Sequence, residues 1–511
     1  MRCPQTDASY RSSFIIVLLL LATAAIASAS CHTITPSGAG TKSGADWNNS
    51  CAGFAGSCSV SSLVRGDTYF VASGSYPSVT FNTPTSGTSV ITITAPTASN
   101  NCTSTGWNAS TMQGQAQFGP IYFDTSYITF SGAYRGPQSC FGSGCQNDAT
   151  SYGFSVNNNG PADSNQAVLI GCDGNACSPI ATATNINFEY TWVKGSCPTS
   201  TASTTEDRDI WMHQANNIYL GYNRLECAGT NSVLTDYNAS TVSGGTIVME
   251  YNWFVNNGAS QGHSEHYNIR NTAPGSTITV RYNYFENGIG AADISTAAAG
   301  NPTLNGTLDI YGNVFFQNTA EWGSWSPNPD GEWDGVVSFH GFNGTGIIRF
   351  LNNTIADFSA PSGCQSTCFT QAWWCSVDGG GSGFTGSGTF AVENNIWYHD
   401  NGGNGSFSGP TTSCGNPGTW AYNSYYATVV SDSTTGAVNE GSANPFTNAK
   451  QNVQNSDDFR LAVDTTPWTP LPAPYNVDPN GVTRTSSRGA FQFSGSGQAP
   501  VPPTNLTDIV Q

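Results

Sequence analysis

Thr246–Gly258 reads TIVMEYNWFVNNG, Thr277–Gly288 reads TITVRYNYFENG and Thr307–Asn318 reads TLDIYGNVFFQN. All three fit one frame: apolar-x-apolar-x-x-Asn-x-apolar. Outward from these segments the frame recurs with its Asn at 223, 252, 283, 313, 353, 395 and 423, and with Thr at 191. The spacings are 32, 29, 31, 30, 40, 42 and 28 residues. The two apolar positions ahead of the polar one are Ile186/Phe188, Ile218/Leu220, Ile247/Met249, Ile278/Val280, Leu308/Ile310, Ile348/Phe350 and Phe390/Val392. Weaker copies begin at Ile91/Ile93 and Ile128/Phe130, and Trp420–Tyr425 holds a last one. Such self-similarity at a fixed period marks a repeat architecture.

Alternation with period two inside each copy predicts a strand with one buried face. A second apolar position follows the Asn (Leu225, Phe254, Phe285, Phe315, Ile355, Trp397). A third strand is read at Ile210–His213, Val233–Asp236, His266–Arg270, Ala292–Ser295 and Val337–His340. Three short strands per coil of about 30 residues make an all-β fold, a parallel β-helix. The Asn is expected at a corner, where it tolerates left-handed backbone geometry and its amide can bond to the next coil's amide.

Composition agrees. Only 9% of the 511 residues are charged and Lys occurs three times, at 42, 194 and 450, so the vocabulary of surface helices is missing. The 26 Phe, 21 Tyr and 13 Trp exclude a disordered chain. A net charge of -18 with no basic stripe excludes nucleic acid as a partner. Arg2 and Arg11 precede the apolar run Phe14–Ile26 and the small residues Ala27-Ser28-Ala29, so residues 1–29 read as a secretory signal. The 13-residue run is short for a membrane span. Loss of Arg2, Arg11 and Asp7 leaves a mature charge of -19. Of 15 cysteines only Cys3 lies in the signal, and the remaining 14 predict disulfides in a secreted or surface-attached protein, with Cys140–Cys145 and Cys172–Cys177 the favoured bridges.

The repeat segments quoted above resemble the right-handed parallel β-helix proteins of the pectate-lyase-like superfamily over roughly residues 60–430. DDFRLAVDTTPW at 457–468, followed by DPNGVTRTSSRGAFQF at 478–493, looks like the segment that caps the open end in many secreted members. The resemblance implies one domain over 30–494, with a cap at about 431–494 and a Pro-rich tail at 495–511. The superfamily holds lyases, hydrolases, epimerases and non-catalytic adhesins. Of their catalytic motifs only fragments stand here, such as Gly262-His263-Ser264, Trp211-Met212-His213 and Ser264-Glu265-His266.

The strand register proposes the site. With Ile210, Met212, Ile269 and Ile294 inward, the third strands send out Trp211 and His213, Asp236, His266, Asn268 and Arg270, Asp293, and His340. Stacking is expected to set Asp236 between His213 and Arg270, with Asp293 diagonal to Arg270 and about 12 Å from Asp236. His213, His266, Asp236 and Arg270 are the candidate catalytic residues, and Asp236 with Asp293 the candidate Ca2+ ligands. Substrate-binding candidates are Asn268, Asp293, His340, Trp211, and the Trp322, Trp325 and Trp333 of the long 40-residue interval. The charged column on the first strands (Glu250, Arg281, Asp309, Arg349) reads as cross-strand ion pairs without a functional role. The expected activity is β-elimination on a polyuronate by a secreted monomer, with a polysaccharide hydrolase or a non-catalytic glycan-binding adhesin as the alternatives. The extracellular polysaccharide is the only partner expected.

Overall fold

The computed structural model describes residues 29–133, 151–157, 166–171, 182–195, 208–236, 245–257, 265–270, 272–288, 292–295, 304–317, 335–340, 344–357, 373–376, 387–399, 418–428, 433–447, 459–466 and 468–495. Among these residues the chain winds through three sheets of thirteen, twelve and nine strands, each ordered coil after coil. Thr246–Glu250, Thr277–Arg281 and Thr307–Tyr311 belong to the first sheet. Trp253–Asn257, Tyr284–Gly288 and Val314–Phe316 belong to the second. Asn231–Asp236, Tyr267–Ile269 and Ala292–Ser295 belong to the third. Every pairing between these strands is parallel, so the fold is a parallel β-helix, right-handed by the rule for parallel crossovers. No described helix is long and apolar enough to cross a membrane.

The repeat frame fills the core. All fourteen frame residues from Ile186 to Val392 are buried, the most exposed at 8%. Ile91, Ile93, Ile128 and Phe130 are buried in the same way, so the weak N-terminal copies are coils too. Inside the second sheet Phe254, Phe285 and Phe315 stack at 4.5 and 4.8 Å, close to the spacing of neighbouring strands. Two disulfides, Cys31–Cys102 and Cys51–Cys58, staple the N-terminal coils. The 71-residue separation of the first is worth about 4 kcal/mol by loop-closure entropy. Cys227 is disulfide-bonded as well. Cys140, Cys145, Cys172 and Cys177 lie outside the described residues.

The corner between the first and second sheets carries an unbroken amide ladder. Asn223, Asn252, Asn283, Asn313, Asn353 and Asn395 each donate from Nδ2 to the Oδ1 of the next Asn at 3.0–3.2 Å, ending on Asn423. Each Oδ1 also accepts the backbone N–H of the preceding ladder residue, starting from Thr191. One expectation needs correction: the left-handed residue is the one before the Asn. Tyr190, Tyr222, Tyr251, Tyr282 and Tyr422 sit there at φ between +49° and +58°. A bulky residue in that region is strained, and the ladder on its C-terminal side holds it there. The half-buried rings stack on one another, Tyr190 on Tyr222 and Tyr222 on Tyr251 at 4.9 Å.

The C-terminal segment is more than a plug. Val438–Asn439 still pairs with Ser424–Tyr426 and so extends the last coil. Beyond it the chain folds back along the outside of the stack. Phe446, Phe459, Leu461 and Phe491 pack on Phe316, Ile396 and Tyr398, the outward residues of the second sheet. Thr469 bonds Asn394, Tyr475 bonds Asn352 and Arg349, Val477 accepts from Tyr282, and Pro479 accepts from Tyr251. The expected terminal cap is therefore also a strap over the ladder corner. Arg488 returns it to the last coil, bonding the Asn423 carbonyl and Ser424.

On the outer face of the first sheet the two expected pairs are present, Arg281–Glu250 at 2.5 Å and Arg349–Asp309 at 2.8 Å. Glu189, on the same face, lacks such a partner in register: Ser131 and Gly221 flank it. Burial, with a smaller push from the Glu250 carboxylate, raises its pKa to about 7 against the hydrogen bond from Ser131. A carboxyl with a raised folded pKa binds its proton more tightly in the folded state. Its stabilising contribution is full below about pH 4 and is lost as pH rises through about 7, a swing of about 3 kcal/mol. Urea unfolding of the wild type should show this loss relative to Glu189→Gln. Parallel stability profiles for the two proteins between about pH 4 and pH 8 would show that Glu189 titrates normally.

Candidate functional site

Alternation on the third sheet sets which side chains can meet. Ile210, Met212, Val233, Tyr267, Ile269, Ile294 and Val337 point into the core and are fully buried. The intervening positions form rows across the outer face. In one row His213 is the direct partner of Asp236. Arg270 follows Ile269, which pairs with Thr235, and is level with Asp236; its N–H bonds the Thr235 carbonyl at 2.9 Å. An imidazole, a carboxylate position and a guanidinium thus occupy successive strands about 4.8 Å apart. His340 belongs to the same row, two strands beyond Arg270. The neighbouring row holds Trp211, Leu234, Asn268, Ser295 and Ser338.

Side chains refine the picture. The Trp211 and His213 rings meet edge to face at 5.2 Å. The Arg208 guanidinium, which the sequence reading passed over, lies 5.2 Å from the Trp211 ring centroid. Strict alternation puts Arg208 and Trp211 on opposite faces, so the strand pattern gives no signal for this contact. His213, Trp211 and Arg270 are partly exposed. Leu234 and Asn268, which alternation aims outward, are buried. Asn268 Oδ1 and Arg270 Nε have no hydrogen-bond partner among the described residues. Asn268 is therefore a covered polar group rather than an open contact.

His266 is moved off the site. It precedes the strand, at the bend that enters the third sheet, and is completely buried. Its ring lies 5.9 Å from Phe254 and 5.8 Å from Phe285, both in the core. Nε2 is 3.2 Å from the Glu286 carbonyl oxygen, which can only accept, so Nε2 carries the proton. Burial pushes its pKa down to about 3, against the opposing effect of that hydrogen bond. A neutral, enclosed imidazole cannot serve as base for an external substrate. Around it, Asn231 donates to Glu265 at 2.6 Å and Asn257 donates to the Glu265 carbonyl, so this bend is a buried polar cluster.

The register also corrects Asp293. Tyr267 pairs with Ile294, which puts Asp293 level with His266 and not diagonal to Arg270. Asp236 and Asp293 are two strands apart and four residues out of step, about 16 Å at Cα. Ca–O distances are about 2.5 Å, so the two carboxylates do not fit one Ca2+. The pair is equally too wide for the two carboxyls of an inverting glycosidase. Among the described residues no group of three or more His, Cys, Asp or Glu side chains is placed to hold a metal. Trp322, Trp325 and Trp333 lie outside the described residues, in the interval that joins Val314–Phe316 of the second sheet to Gly335–His340 of the third.

No family model and no curated protein matches the sequence. Among solved structures the chain is similar to the pectate lyase Pel9A, at 11% identity over 92% of this chain and 98% of that one, with TM-score 0.38. It is also similar to a mannuronic acid specific polysaccharide family 6 lyase from human gut microbiota, at 9% identity over 80% and 83%, TM-score 0.37. A third is the lacto-N-biosidase from Eubacterium ramulus, at 11% identity over 81% and 67%, TM-score 0.35. The strand pairing itself shows the fold.

Proposed function

We propose that the outer face of the third sheet binds an extracellular polysaccharide, and that the protein is a secreted polyuronate lyase acting by β-elimination. One observation carries this reading: His213, Asp236 and Arg270 stand at the same level on three successive strands. Arg270 pairs the uronate carboxylate through its planar fork, and its charge stabilises the enolate that forms when the proton at C5 is removed. His213 takes that proton, with Asp236 beside it to orient the ring. The C5–H pair becomes the C4–C5 double bond, the C4–O bond breaks, and the leaving oxygen is protonated by the imidazolium or by water. Trp211, steadied by Arg208, offers an aromatic face to a neighbouring sugar. No step is assigned to Ca2+.

The test is incubation of the mature protein with polygalacturonate, alginate and neutral glycans, read as the ultraviolet absorbance of unsaturated uronides and as reducing ends. On one polyuronate both signals should rise together. Reducing ends without the absorbance would make the protein a hydrolase and end the elimination mechanism. Retention on an immobilised polysaccharide with neither signal would make it an adhesin.

A further inference from the structure

A cavity of about 710 Å³ opens on a different face, the outside of the first sheet at its N-terminal end. Its floor is a grid of in-register side chains: Thr92 beside Thr129 in one row, and Thr94, Ser131 and Glu189 in the next. One wall is Ser99–Ser104, pinned to the first strand by the Cys31–Cys102 bridge. The volume is that of a small-ligand site, and a wall fixed by a disulfide lowers the entropy lost on binding.

The lining decides the ligand. Among the described residues it offers hydroxyls and the Asn100 and Asn101 amides, one carboxyl and no Lys or Arg side chain. The mature α-amino group at Ser30 lines the cavity but is bonded to Asp67 Oδ1 at 2.9 Å, so no free cation awaits a phosphate or a uronate, and burial raises the Glu189 pKa to about 7, so little negative charge awaits a cation below that pH. What remains is a surface that both donates and accepts hydrogen bonds at short intervals, the pattern of a polyhydroxylated neutral molecule. We propose that this groove is a second glycan site, one that takes a short neutral oligosaccharide. It does not depend on the lyase reading, because it lies on the first sheet whereas the His213 row lies on the third.

Calorimetric titration of the mature protein with cellohexaose, xylohexaose and mannohexaose tests it. At least one should bind saturably, with Kd below about 1 mM. Thr129→Trp, which fills the groove, should abolish that binding while turnover of a polyuronate is unchanged. Thr92→Val/Thr129→Val keeps the shape, deletes two hydroxyls and should weaken binding at least about tenfold, which guards against a filled variant that fails to fold. Glu189→Gln, which keeps the hydrogen-bonding capacity, should bind normally. The proposal falls if none of the three hexaoses binds, if binding survives in the double variant, or if Glu189→Gln abolishes it. It also falls if binding is lost in Arg270→Ala, which would place the sugar on the third sheet.

Discussion

Asn313→Ala is expected to destabilise the protein by about 4 kcal/mol. Asn313 Oδ1 accepts the Asn283 backbone N–H at 2.9 Å and the Asn283 amide at 3.1 Å. Its own amide donates to the Val280 carbonyl at 2.9 Å and to Asn353 Oδ1 at 3.0 Å. Alanine removes all four bonds in a fully buried position and orphans the Asn283 N–H. Each buried polar group left unpaired costs roughly 1–3 kcal/mol, and the void adds to that. It also frees Gly312 and the tyrosines of adjacent corners from the contacts that hold the left-handed turns. Asn423→Ala should cost less, since its amide has a ladder neighbour on one side only. Urea unfolding of Asn313→Ala, Asn353→Ala and the double variant measures the coupling, which should exceed about 1 kcal/mol. Costs that simply add would show that the Asn residues are independent turn residues, whatever their spacing.

That corner was the most legible part of the chain, because a solenoid repeats each constraint at every coil. An apolar pair, a turn and one amide recur at a spacing that only one coil length satisfies, so register and burial could be read from seven copies at once. The left-handed residue was misplaced by one position for a physical reason. Tyrosine is a poor left-handed residue alone, and the ladder together with stacking between coils, both invisible in a single copy, makes Tyr222 and Tyr251 acceptable there. The path of residues 459–495 was hidden for a similar reason. Their partners, such as Asn394 for Thr469, are 75 residues away in sequence, and nothing periodic announces them.

The third sheet shows where pattern reading stops. Alternation assigned Met212 inward and His213 outward correctly, because both belong to one strand. His266 was misread by extending that alternation one residue beyond the strand end at Tyr267, into a bend where parity no longer holds. Asp293 was placed by assuming equal strand starts. The hydrogen-bonded register moves it four residues from the level of Arg270, enough to dissolve the proposed calcium pair.

Arg270→Ala is expected to lower kcat/KM on the active polyuronate by at least about 10³-fold, about 4 kcal/mol of transition-state stabilisation. The uronate carboxylate is already charged when it binds and gains further negative charge as the C5 proton leaves, so the loss should fall on both, with KM raised and kcat lowered. Stability should stay within about 1 kcal/mol, since Arg270 is partly exposed. Arg281 is an unsuitable charge control: it neutralises the buried Glu250, and Arg281→Ala would strand that carboxylate at a cost of about 3–5 kcal/mol. Lys194→Ala is the better one, removing one exposed cation that stands on the second sheet rather than the third. If Lys194→Ala and Arg270→Ala impair turnover alike, the effect is net charge on an already acidic chain. Should Arg270→Ala turn over normally while Trp333→Ala fails, the chemistry belongs to the long interval before Gly335, and the row of His213, Asp236 and Arg270 is a surface ladder.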